Sequence, residues 1–315
     1  MPVSMFQSNI TIPLHHKEDL SSLSPTPLDL AILKTIVYFD LFNYPVTLSE
    51  IHHYLSEIRA TIKNVQTALR ESPFLQERIA RAFPFYYLKN RQNLVSIRLK
   101  RQEYCQKKWP NATKIARLLS HLPFVRMVAL TGSFVMENAD ETGDIDFYIV
   151  TDTRCVWFLR FVISYLCRVI SRFGTRLCPN YFTSVRSLDF FSEHSLCLAH
   201  DLLQMKVLYG HSLYHELAQQ NQWVFSYLPN ASFSRGSDII DKKGWISRGV
   251  EHIIPKWILS ALNHTLFFFA LKWFSLKGID PRIITRACSI DFQKSFVYRY
   301  QDIQKGFHNR LEAVL

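Results

Sequence analysis

The clearest pattern of hydrophobic and polar positions in this chain lies between residues 125 and 150. Val128-Ala129-Leu130 is an apolar run that ends at Thr131-Gly132-Ser133, and a second apolar run follows Asp144-Ile145-Asp146 and continues to Val150. Short apolar runs bounded by turn residues are typical of buried strands. The pattern therefore predicts a strand, a turn of small residues and a second strand.

The residues before this segment predict three helices and a hairpin, over 28–43, 48–55, 60–70, 74–80 and 85–89. Three helices followed by a hairpin resemble a winged helix, whose third helix enters the major groove in DNA-binding members. The outward side chains of the third helix include Lys63, Asn64, Gln66 and Arg70. They are expected either to contact nucleic acid or to leave the domain to packing and protein contacts, and the shortage of arginine favours the second reading.

The residues after the second strand predict long apolar helices and a further strand. We expect a core helix over 154–173, a strand over Leu177–Ser184 and a helix over 200–217 that breaks near Gly210. Residues 257–276 are among the most apolar of the chain and nearly long enough to span a bilayer. Asn263 and His264 near the middle favour a buried or interfacial helix, so membrane contact through 257–276 is the secondary expectation.

Basic residues outnumber acidic residues. The 315 residues include 37 Lys and Arg against 26 Asp and Glu, which gives a net charge of +11. Between residues 89 and 117, nine basic residues accompany a single acidic one, Glu103, in a segment that predicts a helix. A basic surface favours polyanions such as nucleotides, nucleic acid or an anionic membrane, and the basic helix is equally explained as a solvated face.

Cysteine and histidine positions give no metal or disulfide motif. The six cysteines are scattered without a C-x-x-C pair, which argues against a zinc site or a disulfide framework. His200, His211 and His215 are loosely spaced, so structural or surface roles are expected. The N-terminus lacks a basic segment followed by an apolar one, so we expect no secretory signal and a cytoplasmic location.

The acidic pair and the glycine turn predict a site between them. Successive side chains of a strand point to opposite faces, so Asp144 and Asp146 share one face. Two neighbouring carboxylates on a half-buried strand repel each other unless a cation lies between them, and Mg²⁺ bound by carboxylates and substrate phosphates meets that need. Gly132 lets the backbone approach a ligand closely, and Ser133 adds a hydroxyl donor.

A Gly-Ser turn followed by an acidic-x-acidic strand resembles the signature of the DNA polymerase beta superfamily of nucleotidyltransferases. Weaker landmarks, among them Asn180-Tyr181-Phe182 and 199–205, resemble a little-characterised group of bacterial nucleotidyltransferase-domain proteins. The resemblance implies an enzyme that moves an NMP from an NTP, such as ATP, to a hydroxyl of an acceptor. It places Gly132 and Ser133 at the β- and γ-phosphates, and Asp144 and Asp146 on one or two Mg²⁺ ions.

The resemblance also implies a third carboxylate, which acts as a metal ligand and often as the base, on a later strand. This chain has Asn180 in that region, and Asp189 is the nearest acidic residue beyond it. Asparagine cannot take a proton, so activation of the attacking hydroxyl would have to come from elsewhere. The alternative expectation is therefore a catalytically degenerate module that binds a nucleotide or nucleic acid.

Together these features predict an α/β (α+β) fold with a small mixed sheet and flanking helices. Four segments are expected: a flexible leader over 1–27, a winged-helix-like domain over 28–90, a nucleotidyltransferase domain with its basic lead-in helix over 91–230, and a helical region over 231–315. The expected partners are a nucleotide and an acceptor that the sequence does not identify.

Overall fold

A computed structural model of the chain describes residues 24–172, 174–189, 194–234, 240, 245–276, 288–290 and 296–315. The described residues form helices around two sheets, which confirms the predicted α+β class. Residues 1–23 of the predicted leader lie outside the described residues.

The N-terminal part combines helices with a three-stranded antiparallel sheet in the order β1-β3-β2. Its elements are α1 (Pro27–Asp40), β1 (Val46–Thr47), α2 (Leu48–His53), α3 (Ile62–Glu71), α4 (Pro73–Arg78), β2 (Ile79–Ala82) and β3 (Phe85–Leu88). The predicted hairpin is present. The strand predicted over 74–80 is wrong for most of its length, because residues 74–78 belong to helix α4 and the strand begins at Ile79. The Ser72 side chain caps that helix and Pro73 is pre-organised for its first turn.

The central part contains the larger sheet, whose strands follow the order β7-β4-β5-β6-β8. Its elements are α5 (Asn93–Ser120), β4 (Val125–Thr131), α6 (Gly132–Val135), β5 (Ile145–Thr151), α7 (Val156–Ser171), β6 (Leu177–Ser184), α8 (Leu196–Gln204), β7 (Lys206–Tyr209), α9 (His211–Gln220) and α10 (Val224–Tyr227). β4 is antiparallel to β5, and β5 is parallel to β6, so the sheet is mixed. The strands predicted around the glycine turn and at 177–184 are confirmed.

The larger sheet is covered on both faces. Met127, Ala129 and Tyr148 face a core shared with α1 and α8, whereas Leu130 and Phe147 face a core shared with α5, α7 and α12. Covering on both faces explains why β4 and β5 read as nearly continuous apolar runs. The N-terminal helices therefore share the core on the sheet face that carries Thr131 and Asp146.

The helix predicted over 200–217 is wrong in its middle, because residues 206–209 form the edge strand β7 between α8 and α9. β7 pairs with β4, and Lys206 is the Cα partner of Leu130. Four residues are too few for their hydrophobic pattern to distinguish a helix from a strand. The pairing of residues 206–209 with β4 therefore decides that they form a strand. Gly210 ends the strand with φ +87°, where a Cβ would overlap the backbone of Arg126.

The C-terminal part contains α11 (Trp245–Ile253), α12 (Lys256–Leu276), β8 (Cys288–Ile290) and α13 (Phe296–Val314). β8 extends the larger sheet beside β6, and α13 packs against α1, where Arg310 pairs with Asp40. None of the described helices is long and apolar enough to cross a membrane by itself. The segments 247–253 and 256–273 meet the length and composition criteria only when combined across a 92° bend.

Candidate active site

The predicted glycine turn ends β4 and begins the short helix α6. Gly132 has φ +71°, a left-handed conformation that residues with a Cβ adopt at a cost. A Cβ at this position would overlap Oδ2 of Asp146 and lie 3.2 Å from its carboxyl carbon. The backbone angle and the close approach of the carboxylate both require glycine here, and the exposed Ser133 follows.

Asp146 reaches this turn through the pairing of β4 with β5. It is the second residue of β5 and the Cα partner of Thr131, and paired residues of antiparallel strands project to the same face. Its carboxylate therefore lies beside the end of β4. Asp144 precedes the first residue of β5 and is partly exposed.

A cavity of about 100 Å³ lies beside this contact. Its polar lining includes Thr131, Gly132, Ser133, Asn138, Asp146, Asn180, Asp201 and Gln204. An aromatic wall, defined here as Tyr38, Phe39, Phe42 and Tyr44, comes from α1 and the segment after it. The structure thus brings Gly132, Ser133 and Asp146 together with Asn180, whereas Asp144 and Asp189 are not among the residues that line this cavity.

Asn180 enters the cavity at an irregularity of β6. Phe147 of β5 pairs with Pro179 and Tyr148 pairs with Tyr181, so Asn180 is an extra residue without a Cα partner on β5. A bulge of this kind locally bends a strand and re-aims a side chain, and such bulges are frequent next to active sites. Asn180 was expected in the region where the resemblance implies a third carboxylate. It therefore lines the cavity, with an amide in place of a carboxylate.

Asp201 is a cavity carboxylate that the sequence prediction did not place in the site. It lies on α8, and its Oδ2 accepts a hydrogen bond of 3.1 Å from the hydroxyl of Tyr181 on β6. Both residues line the cavity. The available sequence signal was one acidic residue inside an otherwise apolar helix, since burying a carboxylate there is costly unless the residue has a partner or a function.

Thr131 contributes a buried hydroxyl to the cavity. Its side chain is 2 % exposed, and its Oγ1 has no hydrogen-bond partner within the described part of the chain. Buried hydroxyl groups in folded proteins nearly always have a partner. Because Thr131 lines the cavity, a ligand oxygen or a water molecule there would supply one.

The donor set fits a hard divalent cation. Mg²⁺ takes oxygen ligands, and the cavity offers the carboxylates of Asp146 and Asp201 and the amide oxygen of Asn180. Among the described residues, no three His, Cys, Asp or Glu side chains form a metal-binding cluster. An ion at this site would therefore take one or two carboxylates and complete its shell with phosphate oxygens and water, as Mg²⁺ usually does.

His200 supports the aromatic wall and is structural, as expected. Its imidazole ring is 2 % exposed and stacks on Tyr38 with the ring centroids 4.0 Å apart. Burial lowers the pKa of His200 to about 3, with a smaller contribution from His53. The ring therefore stays neutral at physiological pH and fixes the position of Tyr38.

Several basic residues of the α5 region make contacts within the protein. Arg91 pairs with Asp40, and Arg98 pairs with Glu50 at 2.8 Å while its guanidinium lies over the Tyr44 ring. Arg101 donates to the side chain of Asn138, another cavity residue. These arginines hold the N-terminal helices and the aromatic wall in place, so only part of the basic segment remains available to a polyanion.

Comparisons with known proteins add little to this geometry. No family model matches the chain, and no curated protein matches it. A solved structure titled "Crystal structure of the toxin-antitoxin with AMP-PNP" aligns over 36% of this chain and 88% of its own, at 18% identity and a TM-score of 0.23. A likeness at this level establishes neither a shared fold nor a shared ligand.

Proposed function

We propose that this chain is a magnesium-dependent nucleotidyltransferase that moves an NMP from an NTP to a hydroxyl of an acceptor. The observation that carries the proposal is the contact between the Gly132 turn and the Asp146 carboxylate at the cavity. A triphosphate needs amide and hydroxyl donors, and its metal needs anionic oxygens. A glycine turn held against a carboxylate supplies both within one small volume.

The turn would bind the phosphates. The backbone N–H groups of Gly132 and Ser133 and the Ser133 hydroxyl would donate to the β- and γ-phosphates, and the Thr131 hydroxyl would gain the partner that it lacks among the described residues. Asp146, with Asp144 just ahead of the strand, would hold Mg²⁺. Bound there, the ion would neutralise phosphate charge and favour in-line attack on the α-phosphorus.

We propose that Asp201 is the general base that accepts the proton of the acceptor hydroxyl. As the acceptor oxygen bonds to the α-phosphorus and the bond to pyrophosphate breaks, the hydroxyl proton passes to the Asp201 carboxylate. The hydrogen bond from Tyr181 fixes the orientation of this carboxylate, which a general base requires. Asp201 would thereby supply the proton acceptor that Asn180 cannot be.

The size of the cavity limits how a nucleotide is held. Pockets that enclose drug-sized ligands measure roughly 300–1,000 Å³, whereas this cavity measures about 100 Å³. An NTP would therefore place its phosphates at the turn and extend through the opening. The aromatic wall would exclude water from the reacting end, which strengthens the electrostatic interactions there.

The test is a turnover assay on the full chain. The purified protein is incubated with each labelled NTP and Mg²⁺, and with glycerol, a sugar, an RNA end or a Ser- and Tyr-containing peptide as the acceptor. Label transfer and pyrophosphate release are measured for wild type, Asp144→Asn, Asp146→Asn and the control Glu141→Gln, an exposed carboxylate on the preceding loop. We expect Asp146→Asn to lower kcat by about a thousandfold and Glu141→Gln to leave it unchanged.

A second set of variants tests the base. Asp201→Asn should abolish transfer while nucleotide binding persists, and Asp189→Asn should retain transfer because Asp189 is not among the cavity-lining residues. Asn180→Asp adds a carboxylate at the bulge. If Asn180→Asp raises turnover and Asp201→Asn has no effect, residue 180 occupies the place of the third carboxylate. The assignment of Asp201 as the base is then wrong.

The second candidate function is nucleotide binding without transfer, and the amide at Asn180 is the observation that favours it. A sensor of this kind would bind an NTP and Mg²⁺ but release no pyrophosphate with any acceptor. Calorimetric binding of a non-hydrolysable analogue, lost in Asp146→Asn, combined with the absence of turnover would establish this alternative.

A further inference from the structure

Helix α12 exposes large aromatic side chains although its other face is firmly packed. Trp257, Phe268, Phe269 and Trp273 are between 50% and 72% exposed. On the opposite face Leu259 and Phe267 are buried in the core shared with α7 and the sheet. The apolar face is therefore not the result of an undocked helix, and exposing it to water is unfavourable.

Asn263 fixes the orientation of α12. Its Oδ1 accepts hydrogen bonds from the backbone N–H groups of Trp157 at 2.7 Å and Phe158 at 3.4 Å, in the first turn of α7. The polar residue near the middle of this apolar helix thus serves as a cap for a neighbouring helix. It holds α12 along the protein surface with its aromatic face outward.

Helix α7, which packs against α12, exposes a similar stripe. Phe161 and Tyr165 are 63% and 64% exposed, and Arg168 and Arg172 follow at the spacing that keeps all of them on one helical face. We call the exposed side chains of α7 and α12, together with Arg154 and Arg172 at the two ends of α7, the aromatic surface. It combines aromatic rings with arginine and lysine side chains.

The charges on the aromatic surface have a single sign. Neither α7 nor α12 contains Asp or Glu. The exposed Arg154, Lys256 and Lys272 form no ion pair with any carboxylate of the described residues. Arg154 and Lys256 also line a shallow depression with Ser260, His264 and Thr265, a group of cations and hydroxyls that suits a phosphate.

We propose that the aromatic surface docks on a bilayer that contains anionic phospholipid, with α12 in the plane of the interface and the depression of Arg154 and Lys256 at a headgroup phosphate. Aromatic residues insert at the boundary between headgroups and acyl chains, and lysines beside them reach the phosphates. α12 carries a Lys-Trp pair near each end, at Lys256-Trp257 and Lys272-Trp273. The two pairs are about 24 Å apart along the helix and about 160° apart around it, so they lie at opposite edges of its exposed face.

The positive charge of the aromatic surface favours an anionic membrane over a second copy of the chain as its binding partner. An isologous contact between two copies would bring the same cations together without carboxylates to neutralise them. An anionic bilayer neutralises them, at about 1 kcal/mol for each lysine or arginine near the surface. The cavity lies on the sheet face opposite α7 and α12, so it would face away from the membrane. The docking proposal does not depend on the function proposed for that cavity.

The experiment is co-sedimentation of the full chain with vesicles of phosphatidylcholine alone and of phosphatidylcholine with phosphatidylglycerol. We expect binding to the anionic vesicles that weakens with added salt, and little binding to the neutral ones. Phe269→Ser should lower the partition coefficient by about tenfold, and Lys256→Glu should lower it by a similar factor.

Matched controls lie at the other end of the chain. Phe83→Ser replaces a phenylalanine that is 84% exposed on the N-terminal hairpin, and Lys63→Glu reverses an exposed charge on α3. Both should bind vesicles like wild type, and circular dichroism checks that each variant is folded. Equal binding to neutral vesicles, equal losses in the controls, or no vesicle binding would overturn the proposal. So would a wild-type dimer by sedimentation that Phe269→Ser converts to monomers.

Discussion

The α-carbon of Gly132 lies against the carboxylate of Asp146, on the strand that pairs with the one ending at Thr131. The contact joins two features that the sequence shows separately, a glycine turn and an acidic strand. It also makes Gly132 a residue whose replacement should affect the fold and the site together.

We predict that Gly132→Ala destabilises the protein by roughly 2–4 kcal/mol, because it combines backbone strain with overlap of the half-buried Asp146 carboxylate. Nucleotide binding should also be lost as Asp146 moves. Urea denaturation and calorimetry measure the two effects. Gly174→Ala is the matched control: Gly174 also has a positive φ of +92°, but a Cβ there would contact nothing within 4 Å. Equal free energies of unfolding for the two variants would contradict the role of the contact.

We predict that Tyr181→Phe lowers kcat by about tenfold, with little change in the KM for NTP, because the Asp201 carboxylate loses the hydroxyl that orients it. Steady-state kinetics separates the two constants. Tyr148→Phe is the control, since Tyr148 shares a 2.8 Å hydrogen bond with Thr183 and does not line the cavity. It should cost about 1 kcal/mol of stability without a change in kcat.

We predict that Asn263→Leu lowers the free energy of unfolding by about 2 kcal/mol, because two backbone N–H groups of α7 lose their acceptor. Asn263→Asp keeps an acceptor oxygen and places a negative charge at a helix N-terminus, so it should be closer to wild type. Urea denaturation of both variants tests the cap. If the two variants were equally destabilised, packing alone would explain the residue.

We predict that His200 makes stability fall with acidification. Burial lowers its pKa from 6.5 to about 3 in the folded state, so the unfolded chain takes up the proton first. Stability is complete above about pH 6.5 and decreases toward pH 3, by up to about 1.4 kcal/mol per pH unit. His200→Phe keeps an aromatic ring beside Tyr38 but cannot be protonated. It should therefore reduce the pH dependence of the free energy of unfolding by up to about 1.4 kcal/mol per pH unit.

The measurement is the free energy of unfolding as a function of pH, between about pH 6 and pH 4. His121→Phe removes an exposed histidine and serves as the control. A slope for His200→Phe that equals the wild-type slope would show that the buried ring does not produce the effect.

Local sequence was sufficient where one element's pattern decides its structure. The strands at 125–131 and 145–151 were predicted because each is an apolar run bounded by turn residues. The edge strand at 206–209 was missed because four residues do not define a period. The helix at 73–78 was missed because its cap, Ser72, and its first residue, Pro73, also fit a turn.

The sequence by itself determined the α+β class, the glycine turn and the acidic strand, because these depend on local periodicity and on residue chemistry. The tertiary structure alone decided that Asp146 contacts the turn, that a bulge places Asn180 in the cavity, and that Asp201 joins it from α8. It also decided that Asn263 caps a helix 106 positions away. Such contacts depend on strand register and helix docking, which join residues far apart in the chain and leave no periodic signal in either segment.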